Sequence, residues 1–286
     1  MSATRASSAR PPGHRPPRWP DLSRRGTDLV ELMDDPDCDP GLLDATYRAF
    51  PIVNGLVAGW RRVYRRRLRP LLSTDRTTRL LDLGSGGGDL ARALAGWARR
   101  DGLALHVVAV DPDARAHAFS ESRPTPPGVE FRRASSSELV AAGETFDVVV
   151  SNHVLHHLDD AARAAVLDDS ARLATRLAVH ADIERGRGAY LAYRAATRPW
   201  RTRSFVHVDG LLSIRRSFTA PELAAVAPAG WRVVRQRPYR LLLVHAPGAE
   251  RGSATAVDGA SGAAEAVAGA GTSARAVPRG GHRADS

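Results

Sequence analysis

The sequence predicts an α/β fold in which a mostly parallel sheet is covered by helices on both faces and ends in an antiparallel hairpin. Short apolar runs alternate with helical patterns from residue 79 onward, as they do in strand–helix–strand units. The runs are near-continuous in Val and Leu, which is typical of parallel strands buried on both faces. The stretch 231–246 holds two runs with no room for a helix between them, so we expect these strands to pair antiparallel.

The first predicted element is a helical stretch over 41–71, in which Pro51 marks a point of division into two helices. Its apolar stripe comprises Val53, Leu56, Val57, Trp60, Tyr64, Leu68 and Leu71. Parallel strands are then predicted at 79–84, 104–111, 129–134, 146–152 and 177–183. Helices are predicted near 88–100, 112–120 and 160–174. Thr219 and Glu222 form the pattern of a capping box, which predicts the start of a further helix.

Composition predicts the limits of the folded part. Residues 1–27, rich in Pro, Arg and Ser, and residues 247–286, rich in Ala, Gly and Ser, are expected to be disordered tails. The folded part, 28–246, divides into a helical segment over 28–72 and an α/β domain over 73–246. No apolar run approaches the roughly 18 residues of a membrane span, and Cys38 is the only cysteine. We therefore expect a reduced, cytoplasmic protein that does not span a membrane.

The formal net charge of +10 suggests a nucleic-acid partner, but the distribution of the charge argues against one. The chain has no Lys, and of its 41 Arg residues six lie before Asp28 and six lie within 61–69. No series of aromatic residues for stacking bases is interleaved with them. A solvated charged face and a basic tail are favoured, and no nucleic acid is expected as a partner.

The stretch DLGSGGGDL, residues 82–90, joins the first parallel strand to the next helix. Closely spaced glycines at such a junction are typical of a loop whose backbone contacts a cofactor. The dinucleotide fingerprint G-x-G-x-x-G, begun at Gly84, requires a third glycine where Asp89 stands. No Gly-Lys-Ser/Thr follows, so the loop is not a phosphate-binding P-loop.

Asp111 ends the second parallel strand, within VVAVDPD. A carboxylate at this place can accept hydrogen bonds from both ribose hydroxyls of an adenosine cofactor. Taken alone, Asp111 could equally cap a helix with Pro112 as its first residue. The order and spacing of Asp111 and the glycine loop favour the cofactor interpretation.

The motifs LLDLGSGGGDL, VVAVDPD and FDVVVSNHVLHHL, in this order, resemble class I S-adenosylmethionine-dependent methyltransferases. More narrowly, they are similar to the branch that includes ubiquinone- and menaquinone-biosynthesis enzymes and bacterial natural-product methyltransferases. The resemblance covers 79–183 well and 28–246 loosely. It implies a Rossmann-like sheet of seven strands with an antiparallel C-terminal hairpin, and S-adenosyl-L-methionine as the cofactor.

The resemblance also implies roles for residues at the strand ends. Asp82 and the backbone of 84–88 would hold the methionine end of the cofactor, Asp111 the ribose, and Ser151 and Asn152 would face the sulfonium. Ser135 and Ser136 stand where the family commonly has an Asp-containing pair that contacts the adenine. The cofactor-binding candidates are Asp82, Gly84, Ser85, Gly86, Gly88, Asp111, Pro112, Ser135, Ser136, Ser151 and Asn152.

The histidines of SNHVLHHLDD follow the fourth strand, where a base could act on a bound acceptor. Methyl transfer mainly needs alignment, which can contribute ~7–11 kcal/mol, but a phenol also gains from a base such as His. His153 and His156 are the catalytic candidates, and His153 ranks first because it is nearest the strand end. If the segment coils, His157 shares their face, and the adjacent leucines favour a structural role for one or two of the three. No HExxH glutamate or cysteine accompanies them, so no metal site is expected.

The acceptor side is expected from 28–72 and from 184–220, the latter forming an insertion in the methyltransferase domain 73–246. The insertion 184–220 combines aromatic side chains with a few polar groups, which suits a lid over a flat apolar ligand. These side chains are Tyr190, Tyr193, Trp200, Phe205, His207 and Asp209. No Asn/Asp-Pro-Pro-Tyr/Phe follows the fourth strand and no catalytic cysteine is present. These absences remove the two clearest routes to methylation of a nucleic-acid base.

The predicted function is methyl transfer to oxygen or carbon of a small aromatic or phenolic, quinol or polyketide-derived acceptor. One alternative is an NAD-dependent oxidoreductase, against which Asp89 and the antiparallel end of the sheet argue. A second is an RNA-directed methyltransferase or RNA-binding protein, and a third is a cofactor-binding scaffold without catalysis. The acceptor, the methylated atom and the oligomeric state are left open by the sequence.

Overall fold

The structure, a computed structural model, describes residues 19–248. Residues 1–18 and 249–286, and with them most of the two predicted tails, lie outside the described residues. The strands are β1 (Thr78–Leu83), β2 (Leu105–Val110), β3 (Val129–Arg132), β4 (Phe146–Asn152), β5 (Ala174–Ile183), β6 (Trp231–Gln236) and β7 (Arg240–His245). The α-helices are α1 (Pro40–Val57), α2 (Trp60–Val63), α3 (Asp89–Arg100), α4 (Ala114–Glu121), α5 (Ser136–Ala141), α6 (Asp160–Leu173), α7 (Arg187–Ala196), α8 (Val206–Arg216) and α9 (Ala220–Val226).

The seven strands form one sheet in the order β3-β2-β1-β4-β5-β7-β6. The first five are parallel, and β7 pairs antiparallel with β5 on one side and with β6 on the other. The predicted fold class is therefore confirmed, including the C-terminal hairpin. The reversal of strand order lies between β1 and β4, and open α/β sheets bind ligands at such a point.

The sheet is buried on both faces, as its near-continuous apolar strands predict. One face carries side chains that pack with α2 and α3: Leu80, Val107, Val148 and Val179. The other face carries Leu81, Val108, Val149 and Ala178. All eight side chains belong to residues that are fully buried. The sheet is thus a rigid frame whose carboxyl ends carry the loops described below.

The N-terminal helical stretch divides at a different place from the predicted one. Asp39 caps α1 by accepting from the N–H of Leu42 at 2.8 Å, and the helix continues through Pro51. It ends before Gly59, whose φ of +67° turns the chain into α2. Leu56 is 75% exposed, so its place in the predicted apolar stripe is wrong.

The residues before α1 pack against α8. The Asp209 carboxylate accepts from the backbone N–H groups of Leu32 and Met33 at 2.8 and 2.9 Å. These two bonds hold the preceding residue, Glu31, in a buried position. In the part of the chain that the structure describes, no helix combines the length and apolar character needed to cross a bilayer.

Candidate active site

A cavity of about 420 Å³ lies at the carboxyl ends of β1, β2 and β4. Leu83, Val110 and Asn152 contribute from the strand ends, and α1, α7 and α8 contribute the opposite wall. The volume falls within the range of roughly 300–1,000 Å³ typical of small-molecule sites. The cavity stands at the topological switch point, where the sequence predicts the cofactor.

The glycine loop and Asp111 meet directly at this cavity. Gly84 and Gly86 have φ of +65° and +52°, a region that only glycine adopts without strain. The N–H of Gly86 donates to Asp111 Oδ2 at 2.8 Å, and the N–H of Asp113 donates to Asp111 Oδ1 at 2.9 Å. Burial raises the pKa of Asp111. Each carboxylate oxygen has a further acceptor position, so the group can still bind hydroxyls.

Asp113, and not Asp111, caps helix α4. Its side chain accepts from the N–H of Arg115 at 2.8 Å. The alternative explanation of Asp111 as a helix cap is therefore wrong, and its carboxylate is left for the loop and the cavity.

Asp82 is a buried carboxylate with an unsatisfied oxygen. It lines the cavity and is 1% exposed, and its Oδ2 has no hydrogen-bond partner among residues 19–248. Burial, together with Asp89 and Asp111, raises the pKa of Asp82 well above its usual range. Such a group is costly to bury unless a donor or a cation satisfies it.

Asp89 is a cavity residue that the sequence analysis missed. Its Oδ2 accepts from Nδ2 of Asn54, on α1, at 3.0 Å, and burial raises its pKa. Sequence reasoning treated Asp89 only as the absence of a third glycine. Its place in the first turn of α3, directly after the glycine loop, was the signal that could have identified it.

Most of the predicted cofactor-binding residues line this one cavity: Asp82, Gly84, Ser85, Gly86, Asp111, Pro112, Ser135, Ser136 and Asn152. The hydroxyls of Ser135 and Ser136 already have hydrogen-bond partners. Ser135 forms the capping box of α5 with Glu138, and Ser136 Oγ donates to Asp169 Oδ2 at 2.6 Å.

Gly88 and Ser151, both predicted to bind the cofactor, lie outside the residues that line the cavity. Gly88 has φ of +74°, and a Cβ there would overlap the ring of Phe131, so this glycine serves the packing of α3 against β3. Ser151 is fully buried, and its Oγ lies 2.7 Å from Nδ1 of His180. Alternation along β4 turns Ser151 away from the face that carries Asn152.

Arg240, on β7, holds Asn152 and His153 at the cavity wall. One guanidinium nitrogen donates to Asn152 Oδ1 at 2.8 Å, and the other lies 2.9 Å from His153 Nε2. Burial and the Arg240 charge hold the pKa of His153 well below its usual range. His153 lines the cavity as a neutral imidazole whose Nε2 accepts from Arg240, which makes it a weak base.

His156 does not line the cavity, so its assignment as a catalytic candidate is wrong. Its side chain is fully buried, with Nδ1 2.8 Å from Asp182 Oδ1 and Nε2 3.4 Å from Glu31 Oε1. Burial disfavours its cation, but Asp182 and Glu31 outweigh burial and raise the pKa of His156 to about 9. The segment 153–158 forms turns and not a helix, so the three histidines do not share a helical face.

Two of the predicted acceptor-side residues, Tyr193 and Asp209, line the cavity. The others serve packing: Phe205 and Trp200 lie in the clusters beside α1, Tyr190 packs near Ile183, and His207 Nδ1 lies 2.9 Å from Thr197 Oγ1.

Comparisons with known proteins agree with this arrangement. Residues 81–175 match the family described as a methyltransferase domain. The ubiquinone biosynthesis O-methyltransferase of Azorhizobium caulinodans is 36% identical over 97 residues, which cover 33% of this chain and 34% of that protein. The enzyme of the same name from Cereibacter sphaeroides (strain ATCC 17025) is 39% identical over 88 residues, 29% of this chain and 32% of that protein. The chain thus matches about a third of the length of these curated relatives.

Human N-acetylserotonin methyltransferase, solved in complex with SAM, shares the fold with a TM-score of 0.50 at 11% identity. The match covers 73% of this chain and 56% of that one. Residues 81–175 are thus similar to a methyltransferase domain, and the sheet order and the glycine loop facing Asp111 agree with that similarity.

Proposed function

We propose that this chain transfers a methyl group from S-adenosyl-L-methionine to oxygen or carbon of a small aromatic, phenolic, quinol or polyketide-derived acceptor. The observation that carries the proposal is the buried Asp82 carboxylate, whose Oδ2 lacks a partner among the described residues at the wall that Asp111 also lines. The cofactor would supply a methyl group made electrophilic by its sulfonium.

The residues fit the methionine and ribose parts of this cofactor. The carboxylates of Asp82, which is buried, and Asp89, which is half-buried, lie beside the glycine loop, and the methionine ammonium would supply the cation that they lack. Asp111 is held by two backbone N–H groups and would accept from the ribose hydroxyls. A nicotinamide cofactor is not favoured, because the third glycine of its fingerprint is replaced by Asp89.

The acceptor wall favours a small apolar molecule. Its apolar contributors from α1, α7 and α8 and the segment before α1 are Met33, Phe50, Val53, Val57, Tyr193 and Val206. Among residues 19–248, no arginine lines the cavity, although the chain is rich in Arg, so this part of the protein offers a polyanion such as RNA no charge partner there. The ubiquinone-biosynthesis O-methyltransferases among the relatives are consistent with a quinol or phenol.

The protein residues would act by position. Helices α1, α7 and α8 would form the wall against which the acceptor packs, and the Arg240 guanidinium would hold Asn152 and His153 in place beside it. Alignment of this kind is the main contribution that an in-line displacement needs.

Calorimetric titration with S-adenosyl-L-methionine tests the cofactor assignment. Asp111→Asn should weaken binding roughly 10- to 100-fold, since hydrogen bonds to a charged group contribute about 1.5–3 kcal/mol. Asp168→Asn, whose carboxylate is 70% exposed, is the matched control and should bind as the parent does. No binding by the parent, or equal binding by the Asp111 variant, would end the assignment.

Transfer of labelled methyl groups tests the acceptor class. Phenols and quinols should be labelled by the full chain, while RNA should not be. If methyl label is transferred to RNA and none is transferred to phenols or quinols, the result would favour the RNA-directed alternative.

A further inference from the structure

We propose that Glu31, His156 and His157 bind one divalent transition-metal ion, of which zinc is the probe. The donor set is two imidazole nitrogens and a carboxylate, a combination that zinc and related ions accept. The site is separate from the glycine loop, and its existence does not depend on the proposed methyl transfer.

The three donors lie at distances suited to one ion. His156 Nε2 lies 3.4 Å from Glu31 Oε1, and His157 Nε2 lies 3.7 Å from Glu31 Oε2. The three residues can present donor atoms that all lie within 4.8 Å of one another. Ligands about 2.0–2.1 Å from a tetrahedral zinc are separated from one another by about 3.4 Å. A small closure of the present arrangement would therefore complete three bonds.

His156 Nε2 is a buried nitrogen that needs a partner. Its side chain is fully buried, and this atom has no hydrogen bond among residues 19–248, since Glu31 lies near it without hydrogen-bond geometry. A buried nitrogen of this kind loses its hydrogen bonds to water, and the Glu31 carboxylate 3.4 Å away replaces them only as an ion-pair partner. A metal ion between His156 and Glu31 would satisfy both.

Each proposed ligand is already oriented by a second residue. His156 Nδ1 lies 2.8 Å from Asp182, and His157 Nδ1 lies 3.0 Å from Asp34. Hydrogen bonding from Nδ1–H to a carboxylate leaves Nε2 as the metal-binding atom. Ser213 Oγ donates to Glu31 Oε1 at 3.0 Å. Metal-binding histidines almost always have such partners.

The local charge also favours a divalent cation. Three carboxylates contact the imidazoles, those of Glu31, Asp34 and Asp182, and the Arg216 guanidinium contacts the first two. With both imidazoles neutral, the cluster has a formal charge of −2, which one divalent ion neutralises.

A fourth ligand position can open to the cavity. Glu31 and His157 both line it, so water or an oxygen of a bound molecule could complete the coordination. Sequence reasoning expected no metal because no glutamate accompanies the histidines locally. The chain supplies Glu31 from the segment before α1, which docks on α8.

Zinc titration of tag-free full-length protein tests the site. After treatment with a chelator, the protein should bind one equivalent of Zn²⁺ in competition with a chromogenic chelator, and Co²⁺ should give the intense visible absorption of a four-coordinate site. His157→Ala and Glu31→Gln should each weaken Zn²⁺ binding at least tenfold, and Asp34→Asn roughly 10- to 100-fold. Circular dichroism verifies the fold of each variant.

Two controls separate this site from other histidines. His106, partly exposed beside Glu130, gives the matched variant His106→Ala, and His14→Ala/His282→Ala removes the histidines outside the described residues. Both should keep the parent affinity. Absence of a first equivalent of Zn²⁺, or an unchanged affinity in His157→Ala, overturns the proposal. The partly exposed His157 decides the test if the buried Glu31 variant does not fold.

Discussion

The backbone N–H of Gly86 donates to the Asp111 carboxylate across 2.8 Å, which ties the loop after β1 to the end of β2. The two elements proposed to hold the methionine and ribose parts of the cofactor are therefore joined by a direct hydrogen bond.

Asp82→Asn should stabilise the ligand-free protein at neutral pH while weakening cofactor binding. The pKa of Asp82 is raised in the folded state, so the stability that this carboxyl group costs is absent below about pH 4, its unfolded range, grows as the pH rises toward the raised pKa, and is complete above it. Each kcal/mol recovered should raise Tm by about 2–4 °C. Thermal unfolding from pH 4 to 8 measures the difference in Tm between variant and parent, and this difference should increase as the pH rises.

The control for this comparison is Asp168→Asn, since that carboxylate is 70% exposed and should leave Tm unchanged at every pH. A Tm of Asp82→Asn at or below the parent value at pH 8 would contradict the cost assigned to the buried charge.

Gly88→Ala should destabilise the protein more than Gly143→Ala. Both glycines have φ near +70°, but a Cβ at Gly88 would overlap the Phe131 ring, whereas nothing lies within 4 Å of one at Gly143. Gly143→Ala therefore isolates backbone strain of roughly 1–2 kcal/mol, and Gly88→Ala should add about 1–3 kcal/mol of overpacking. Urea unfolding measures the free energy of unfolding of both variants. Equal losses in the two would show that the contact with Phe131 is unimportant.

His153→Gln should lower kcat by less than about tenfold. A general base commonly contributes about 10²- to 10⁴-fold, but Nε2 of His153 faces Arg240 and its pKa is far below the usual range. Steady-state kinetics with an identified acceptor, compared with His106→Ala, provide the measurement. A loss of 100-fold or more, with loss of a basic limb from the pH profile, would instead identify His153 as the base.

Pro51→Ala should stabilise the protein. Pro51 is exposed inside α1, where its ring removes one backbone hydrogen bond, and proline in a helix interior costs about 3 kcal/mol. We expect a gain of about 1–3 kcal/mol in the free energy of unfolding. The neighbouring Ile52→Ala, at a side chain 55% exposed, should change it by less than about 0.5 kcal/mol. A less stable Pro51 variant would contradict the prediction.

The fold could be predicted because its signals are local. Valine- and leucine-rich runs with glycine-marked ends identify the parallel strands, and β4 occupies Phe146–Asn152 as predicted. Asp111 and the glycine loop lie within one strand–helix–strand unit, so their meeting follows from the fold. The division of the N-terminal helices was wrong because packing of Tyr47 and Val53 outweighs the cost of Pro51.

The remaining site residues depend on contacts between distant parts of the chain. Arg240 reaches Asn152 across 88 positions, and no local pattern distinguishes it from other arginines. Glu31 reaches the histidine turn only because the segment before α1 docks on α8. The positive φ of His153, +60°, likewise breaks the helical pattern that sequence spacing suggested.

The strand that completes the wall around Asn152 and His153 is β7, which enters the sheet between β5 and β6. On the ribosome, the glycine loop and Asp111 emerge early, while the guanidinium that fixes the neighbouring wall emerges with residue 240. A nascent chain thus contains the glycine loop and Asp111 before it contains Arg240, and Asn152 and His153 gain this partner only when synthesis has passed the final hairpin.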